Sequence, residues 1–361
     1  MSSGATFLLH GIDTLQCAYY LRCGPDSSLD FAALLAQREA LRVSGSRDPA
    51  VVTLAGAEFL LQPYGSPSGY PLVLTNPDCK IECGEFNRPS FFLTFRSEAL
   101  WRHSPAQLQA RFLQWANKVG LEQERPESVS RVDWAFDYHL PVCDFDESHF
   151  VSVASKDSKH RERGQIQTLT FGRDDIVLRI YDKVAEIAQQ SHKTWFFALW
   201  QGVCEDVWRI EWQVRKALLR SFGIRTLSDL LERQGDVLLH LATEHTTLRV
   251  PSADSNRSRW PLHPLWKDLE GQIANLEALG AQRTDGVDAA LEERLMRATM
   301  SVYGYLKRIA AIHVMIQGRR DVVPLALLFP ELRTLLQSVH DPLAWNGDVR
   351  KRIDQMRLGP W

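Results

Sequence analysis

Residues 177–186 read VLRIYDKVAE. The stretch begins as a strand and ends as a helix. Alternation of side chains puts Ile176, Leu178 and Ile180 on one face and Arg179, Tyr181 and Lys183 on the other. A phenol set between two cations is one whose ionised form they favour. The same pattern also describes an ordinary surface tyrosine, so the reading turns on the strands around it.

Two other segments alternate in the same way. In RVDWAFDYH, Val132, Trp134, Phe136 and Tyr138 form an apolar face, opposite Arg131, Asp133, Ala135, Asp137 and His139. In WRIEWQVR, Trp208, Ile210, Trp212 and Val214 oppose Arg209, Glu211, Gln213 and Arg215. Such faces are common as the solvated outer side of an antiparallel sheet. The residue types support a second reading. Asp133, Asp137 and Glu211 are hard oxygen ligands suited to Mg²⁺ or Mn²⁺. Arg179, Lys183, Arg209 and Arg215 suit phosphate oxygens, and Tyr181 is a nucleophile in waiting. Together they suit phosphoryl transfer to a tyrosine.

The totals set bounds. The chain has 361 residues, 45% hydrophobic and 24% charged, with a formal net charge of -2. These values describe a globular protein with room for more than one core. A purely electrostatic nucleic-acid binder is usually basic, which leaves only a local basic face for such a role. Six cysteines are scattered, and CKIEC (79–83) lacks zinc spacing, so free thiols in a reducing compartment are expected. The start, MSSGATFLLHG, has no export pattern, and IAAIHVMI is too short to cross a bilayer. No membrane partner and a cytoplasmic location are expected.

Strands are expected at FLLHGIDTLQCAYYL, VVTLAGAEFLLQ, SFFLTFR and IQTLTFG as well. A helix over 104–119 is capped by Ser104, with Pro105 in its first turn, Gln107 completing a capping box and Gly120 stopping it. Another runs from Thr226 to about His245. RVPSADSNRSRWPLHP (249–264) reads as a linker or arm, and its two arginines and tryptophan could equally clamp phosphate and stack on a base. Beyond it the pattern is helical. The fold class is therefore α+β, a largely antiparallel sheet flanked by helices, followed by an all-helical C-terminal domain. The domains are expected at 1–255 and 256–361. GIDTLQCA and RVDWAFDY look alike, a short hint of two related halves.

RVDWAFDYH, TLTFGRDDIVLRIYDKVAE and WRIEWQVRK, in that order, resemble the replication initiation factor family, the rolling-circle initiators of plasmids and filamentous phages and related relaxases of conjugative elements. The family pattern has an Arg-x-Asp-x-x-x-Asp strand, a Gly-containing turn, a strand ending in Tyr-Asp-Lys with Glu three residues on, and an Arg-x-Glu strand. Here these are Arg131, Asp133 and Asp137; Gly172; Tyr181, Asp182, Lys183 and Glu186; and Arg209 and Glu211. The match covers roughly residues 8–250. No two of the eleven histidines stand two residues apart, so the His-hydrophobe-His metal motif of related nickases is absent.

The resemblance implies site-specific nicking and closing of one DNA strand. Tyr181 would keep the 5′-phosphate and free a 3′-OH, helped by Arg179 and Lys183. Asp133 and Glu211, with Asp137 as a third ligand, would hold Mg²⁺ or Mn²⁺. Arg131, Arg209 and Arg215 would contact DNA, as would Lys159, Arg161 and Arg163 of the run 155–164, which also reads as a solvated hairpin tip. The partners implied are origin DNA, with a single-stranded or hairpin-extruded nick site and flanking duplex, a host helicase and a second copy of the chain. A conjugative relaxase with the same chemistry, a non-catalytic DNA-binding regulator and a water-using nuclease are the alternatives.

Overall fold

A computed structural model describes residues 4–45, 48–162, 165–276, 287–318 and 321–358. Contacts divide the chain into two units, Met1–Gln282 and Arg283–Trp361. The first begins with β1 (Thr6–Cys23), α1 (Phe31–Val43), β2 (Ala50–Leu54), β3 (Ala57–Leu61), β4 (Leu72–Thr75), β5 (Cys79–Cys83), β6 (Phe91–Phe95), α2 (Ser97–Arg102) and α3 (Pro105–Lys118). It continues with β7 (Leu121–His139), β8 (Phe150–Ser152), β9 (Asp157–Glu162), β10 (Gln165–Arg173), β11 (Ile176–Asp182), α4 (Lys183–Glu186), α5 (Phe196–Leu199) and β12 (Val207–Arg215). It closes with α6 (Lys216–Ser221), α7 (Leu227–His240), β13 (Thr246–Leu248) and α8 (Pro264–Ala274).

Eleven strands form one sheet in the order β2-β3-β4-β5-β6-β1-β7-β12-β11-β10-β9, every neighbour antiparallel. The expected α+β class is what the chain adopts. The hinted likeness of GIDTLQCA and RVDWAFDY has a counterpart in the topology. Their strands, β1 and β7, pair at the centre, and each also pairs with the last strand of its own half, β6 and β12. VVTLAGAEFLLQ is a hairpin rather than one strand. Ala55 and Gly56 both take positive φ, which turns β2 into β3.

One face of this sheet is apolar throughout. Leu15, Phe91, Val132, Trp134, Phe136, Leu178, Ile210 and Trp212 belong to a single buried cluster. Fully burying side chains of this kind stabilises by about 1.5–3 kcal/mol each. The helices α1 and α3 cover the first half, with Phe31 against Phe91 and Phe112 against Tyr19. Over the second half, Gln234 of α7 accepts from Trp134 Nε1, and Asp268 of α8 accepts from the Tyr138 hydroxyl at 2.9 Å. Tyr138 is thus a core residue held by an acid.

α8 also corrects the expected domain boundary at 255. Leu265, Trp266, Leu269 and Ile273 are buried in the same cluster, so the first unit extends past it. The arm before it folds on itself. Trp260 Nε1 donates to the Asp254 carbonyl and Arg257 Nη2 to that of Phe150, so neither side chain is held out for a base or a phosphate. The second unit carries α9 (Val287–Ile316), α10 (Leu325–Val339) and α11 (Pro342–Leu358), with Leu306 and Leu328 buried. Among the described residues no helix is long and apolar enough to cross a membrane.

His245 reports on this core. It is 8% exposed, lies edge-on to Trp212, and burial pushes its pKa down to about 4. Between that value and 6.5 the unfolded chain binds a proton the folded chain does not. Stability is therefore intact above pH 6.5 and falls by up to about 3 kcal/mol as pH drops to 4. Urea titrations of wild type and His245→Phe across this range should show the slope in the first and a weaker one in the second.

Candidate active site

The strand-to-helix change read in VLRIYDKVAE has a simple cause. Asp182 ends β11 and its Oδ1 accepts from the backbone N–H of Ala185, capping α4. The hairpin before it depends on Gly172, at φ +86°, where a Cβ would lie 2.3 Å from the Ile176 carbonyl oxygen. This turn sets the register that aligns β11 with β12.

In that register Tyr181 stands opposite Arg209, and Arg209 opposite Asp137; Arg179 stands opposite Glu211. All lie on the face of the sheet away from the main core. The Tyr181 hydroxyl donates to Glu211 Oε2 at 2.8 Å. Arg179 donates to Glu211 Oε1 at 3.1 Å and to Gln213 Oε1 at 3.2 Å. Arg209 grips Asp137 through Nε and Nη2, at 2.6 and 2.8 Å, and reaches Asp13 Oδ1 through Nη1 at 2.9 Å. Arg131 holds both oxygens of Asp133.

This face is not solvated. Asp137 and Arg209 are fully buried, and Asp133, Glu211, Gln213 and Lys183 are buried too. A small apolar roof closes part of it. Phe196 and Trp200 belong to a second buried cluster, with Trp101 packed against it. Trp200 Nε1 donates to Asp137, and Trp101 Nε1 and Ser97 donate to Asp13. The Arg209 guanidinium lies 4.5 Å from the Phe196 ring centre, a cation–π contact. Gly11 permits this roof, because a Cβ there would come within 2.8 Å of the Trp101 ring.

Burial, reinforced by Glu211 and only partly offset by Arg209, raises the Tyr181 phenol well above its ordinary value. This corrects the expectation that Arg179 and Lys183 favour the phenolate. Arg179 gives its guanidinium to Glu211 and Gln213. Lys183 donates to Glu186 at 2.6 Å and lies 5.5 Å from the Tyr181 ring centre, its own pKa lowered by burial and Arg209. Burial and Asp13 raise Glu211, against Arg209. In Asp13, burial works upward and Arg209, Lys193 and Lys183 outweigh it, leaving a firm carboxylate.

Two expected roles change with this geometry. Arg209, expected on DNA, is wholly enclosed by Asp137, Asp13 and the aromatic roof. Asp137, expected as a third metal ligand, has both oxygens taken by Arg209 and Trp200. The same holds across the set. Asp13, Asp133, Asp137 and Glu211 face Arg131, Arg179, Arg209 and Lys193, and each carboxylate oxygen has a hydrogen-bond or ion-pair partner. Among the described residues no three His, Cys, Asp or Glu are grouped to hold a metal ion. As these side chains stand, the donor set does not fit a divalent cation, which needs several carboxylate oxygens free of competing cations.

The remaining expected contacts lie apart from this row. Arg215 is exposed at the end of β12, opposite Arg131. Lys159 and Arg161 are on the edge strand β9, and both are paired with Glu147. Arg163 falls outside the described residues. Asp13, Lys193 and Trp101 are site residues that the sequence reading did not assign. For Asp13 a signal existed, since GIDTL matches RVDWA and places Asp13 against Asp133.

No family model matches the chain. No curated protein matches it either. Among solved structures, it is similar to a rolling circle replication initiator protein from Geobacillus stearothermophilus, at 18% identity and a TM-score of 0.46, over 77% of this chain and the whole of that one. At that score no residue role is carried across.

Proposed function

We propose that this chain cuts and rejoins one strand of DNA through Tyr181, as an initiator of rolling-circle replication acting on origin DNA. The motif order in the sequence supports the class. The observation that carries the reading is the 2.8 Å hydrogen bond from the Tyr181 hydroxyl to Glu211, with Arg179 on the other carboxylate oxygen. Tyr181 Oη attacks phosphorus and its proton passes to Glu211, a base already in hydrogen-bond contact. The bond from phosphorus to the 3′ oxygen breaks, and that oxygen leaves as a 3′-OH, taking a proton from solvent water. The 5′-phosphate remains on the tyrosine, so the step can run backwards. Arg179, with 34% of its side chain exposed, is the cation of this row that can turn toward a phosphate oxygen. No step is routed through a divalent ion, because the carboxylates are paired with cations.

The test incubates wild type and Tyr181→Phe with supercoiled plasmid bearing the cognate origin, with and without Mg²⁺ or Mn²⁺. Nicked circles carrying a protease-sensitive adduct are expected from wild type alone. Equal nicking by both chains would remove Tyr181 from the chemistry. Binding without nicking by either would favour a regulator. Burial raises the Glu211 pKa, and this also sets the pH dependence. Adduct formation needs the carboxylate, so its rate falls as pH drops through a value above 4.5, the ordinary glutamate value.

A further inference from the structure

We propose that a cavity on the far side of Trp101 from the tyrosine row binds one unpaired nucleobase of the DNA strand being cut. The ligand class rests on the nicking reading above. The cavity has a volume of 410 Å³, within the range of small-molecule pockets. It lies against the first half of β1, where β6 forms no ladder, since β6 pairs with β1 only over Leu15–Tyr19.

Its walls are flat and aromatic. Trp101, Trp134 and Phe136 contribute rings, and the His10 imidazole lies nearly parallel to Phe136, at 19° and 5.7 Å. Burial lowers the His10 pKa and favours its neutral ring. Gln234 and His103 add polar atoms. Gln234 Oε1 accepts from Trp134 Nε1, while its amide nitrogen has a 3.5 Å contact to the Leu231 carbonyl. Arg102, at the rim, is paired with Glu98. Aromatic rings with hydrogen-bonding groups between them suit a planar, hydrogen-bonding ring better than a phosphate.

The cavity shares a wall with the proposed active site. The Trp101 ring lies over Gly11 and its Nε1 donates to Asp13, which holds Arg209 opposite Tyr181. From β11 across β12 and β7 to β1 is three strand spacings, about 15 Å, and Trp134 and Phe136 face the core side, so the DNA reaches the cavity around the stretch of β1 that β6 leaves unpaired. A base a few nucleotides from the scissile phosphate can span that distance.

The experiment uses the full chain and single-stranded 20-mers of thymidine with 5-iododeoxyuridine at every position, which avoids any need for the origin sequence. Ultraviolet crosslinking is followed by peptide mapping. Crosslinks are expected at His10, Trp101 or His103. Leu231→Trp, which fills the cavity, should abolish these crosslinks while preserving any elsewhere, and Gln234→Leu should weaken them. Affinity for the 20-mer should fall roughly 5- to 100-fold in the filled variant, the loss of one stacked base. Thermal melts of both variants establish that they fold. Crosslinks only at other sites, or crosslinks indifferent to the filled cavity, would overturn the proposal and leave the nicking reading standing. Absence of any binding to the 20-mer would also overturn the proposal, and the plasmid experiment above decides the nicking reading separately.

Discussion

Exchange of Arg209 for leucine lowers the stability of the first unit by about 3–5 kcal/mol, the usual cost of removing one partner from a buried ion pair. Asp137 and Asp13 lose their shared cation, and Asp137 is fully buried, so its charge is left without a compensating partner of opposite sign. The cation–π contact to Phe196 goes as well. Urea unfolding of the variant measures the loss. A companion change, Asp137→Leu in the Arg209→Leu background, should restore part of it, because an apolar pair of similar volume is tolerated where a lone charge is not. A loss under about 1 kcal/mol would mean that the roof and sheet hold together without this pair.

On the proposed mechanism, Tyr181→Phe should eliminate the covalent DNA adduct, and Glu211→Gln should slow its formation by about 10²–10⁴-fold, the range for loss of a general base. The two variants separate distinct roles. Phenylalanine keeps the ring against its neighbours and removes only the attacking oxygen. Glutamine keeps the shape of the side chain and an oxygen to accept from Tyr181, but it cannot take the proton. The slow residual reaction of Glu211→Gln should also lose the acid limb of the pH profile. Retention of that limb would assign it to another group, and Glu211 would then be a structural partner of Arg179.

The sheet was legible because its strands alternate so regularly. Val132, Trp134, Phe136 and Tyr138, and Ile210 with Trp212, mark the core face without ambiguity, and Ser104, Gln107 and Gly120 mark α3 by its caps. The polar face was legible in membership but not in environment. Alternation tells which side chains share a face, and it says nothing of what lies above them. The roof comes from Trp101 and Phe196, on short helices, and Trp200, just past the end of one, and these segments carry no helical period long enough to read. Without that roof, Arg209 reads as a free cation and Asp137 as a free ligand. Asp13 had a signal in the motif match but none in alternation. It sits at a register shift between Ile12 and Thr14, so simple alternation along β1 does not place it beside Arg209.

The bond from Arg209 to Asp13 spans 196 residues of chain. At a synthesis rate of 5–20 residues per second, Arg209 is added about 10–40 s after Asp13. Tyr181 is already made by then, yet Glu211, its hydrogen-bond partner, follows Arg209. A ribosome that stalls or terminates before β12 therefore releases a chain with the tyrosine and without its base. On the proposed mechanism, prematurely ended translation products should be inert toward DNA, because the base for Tyr181 arrives only with the last strand laid into the sheet.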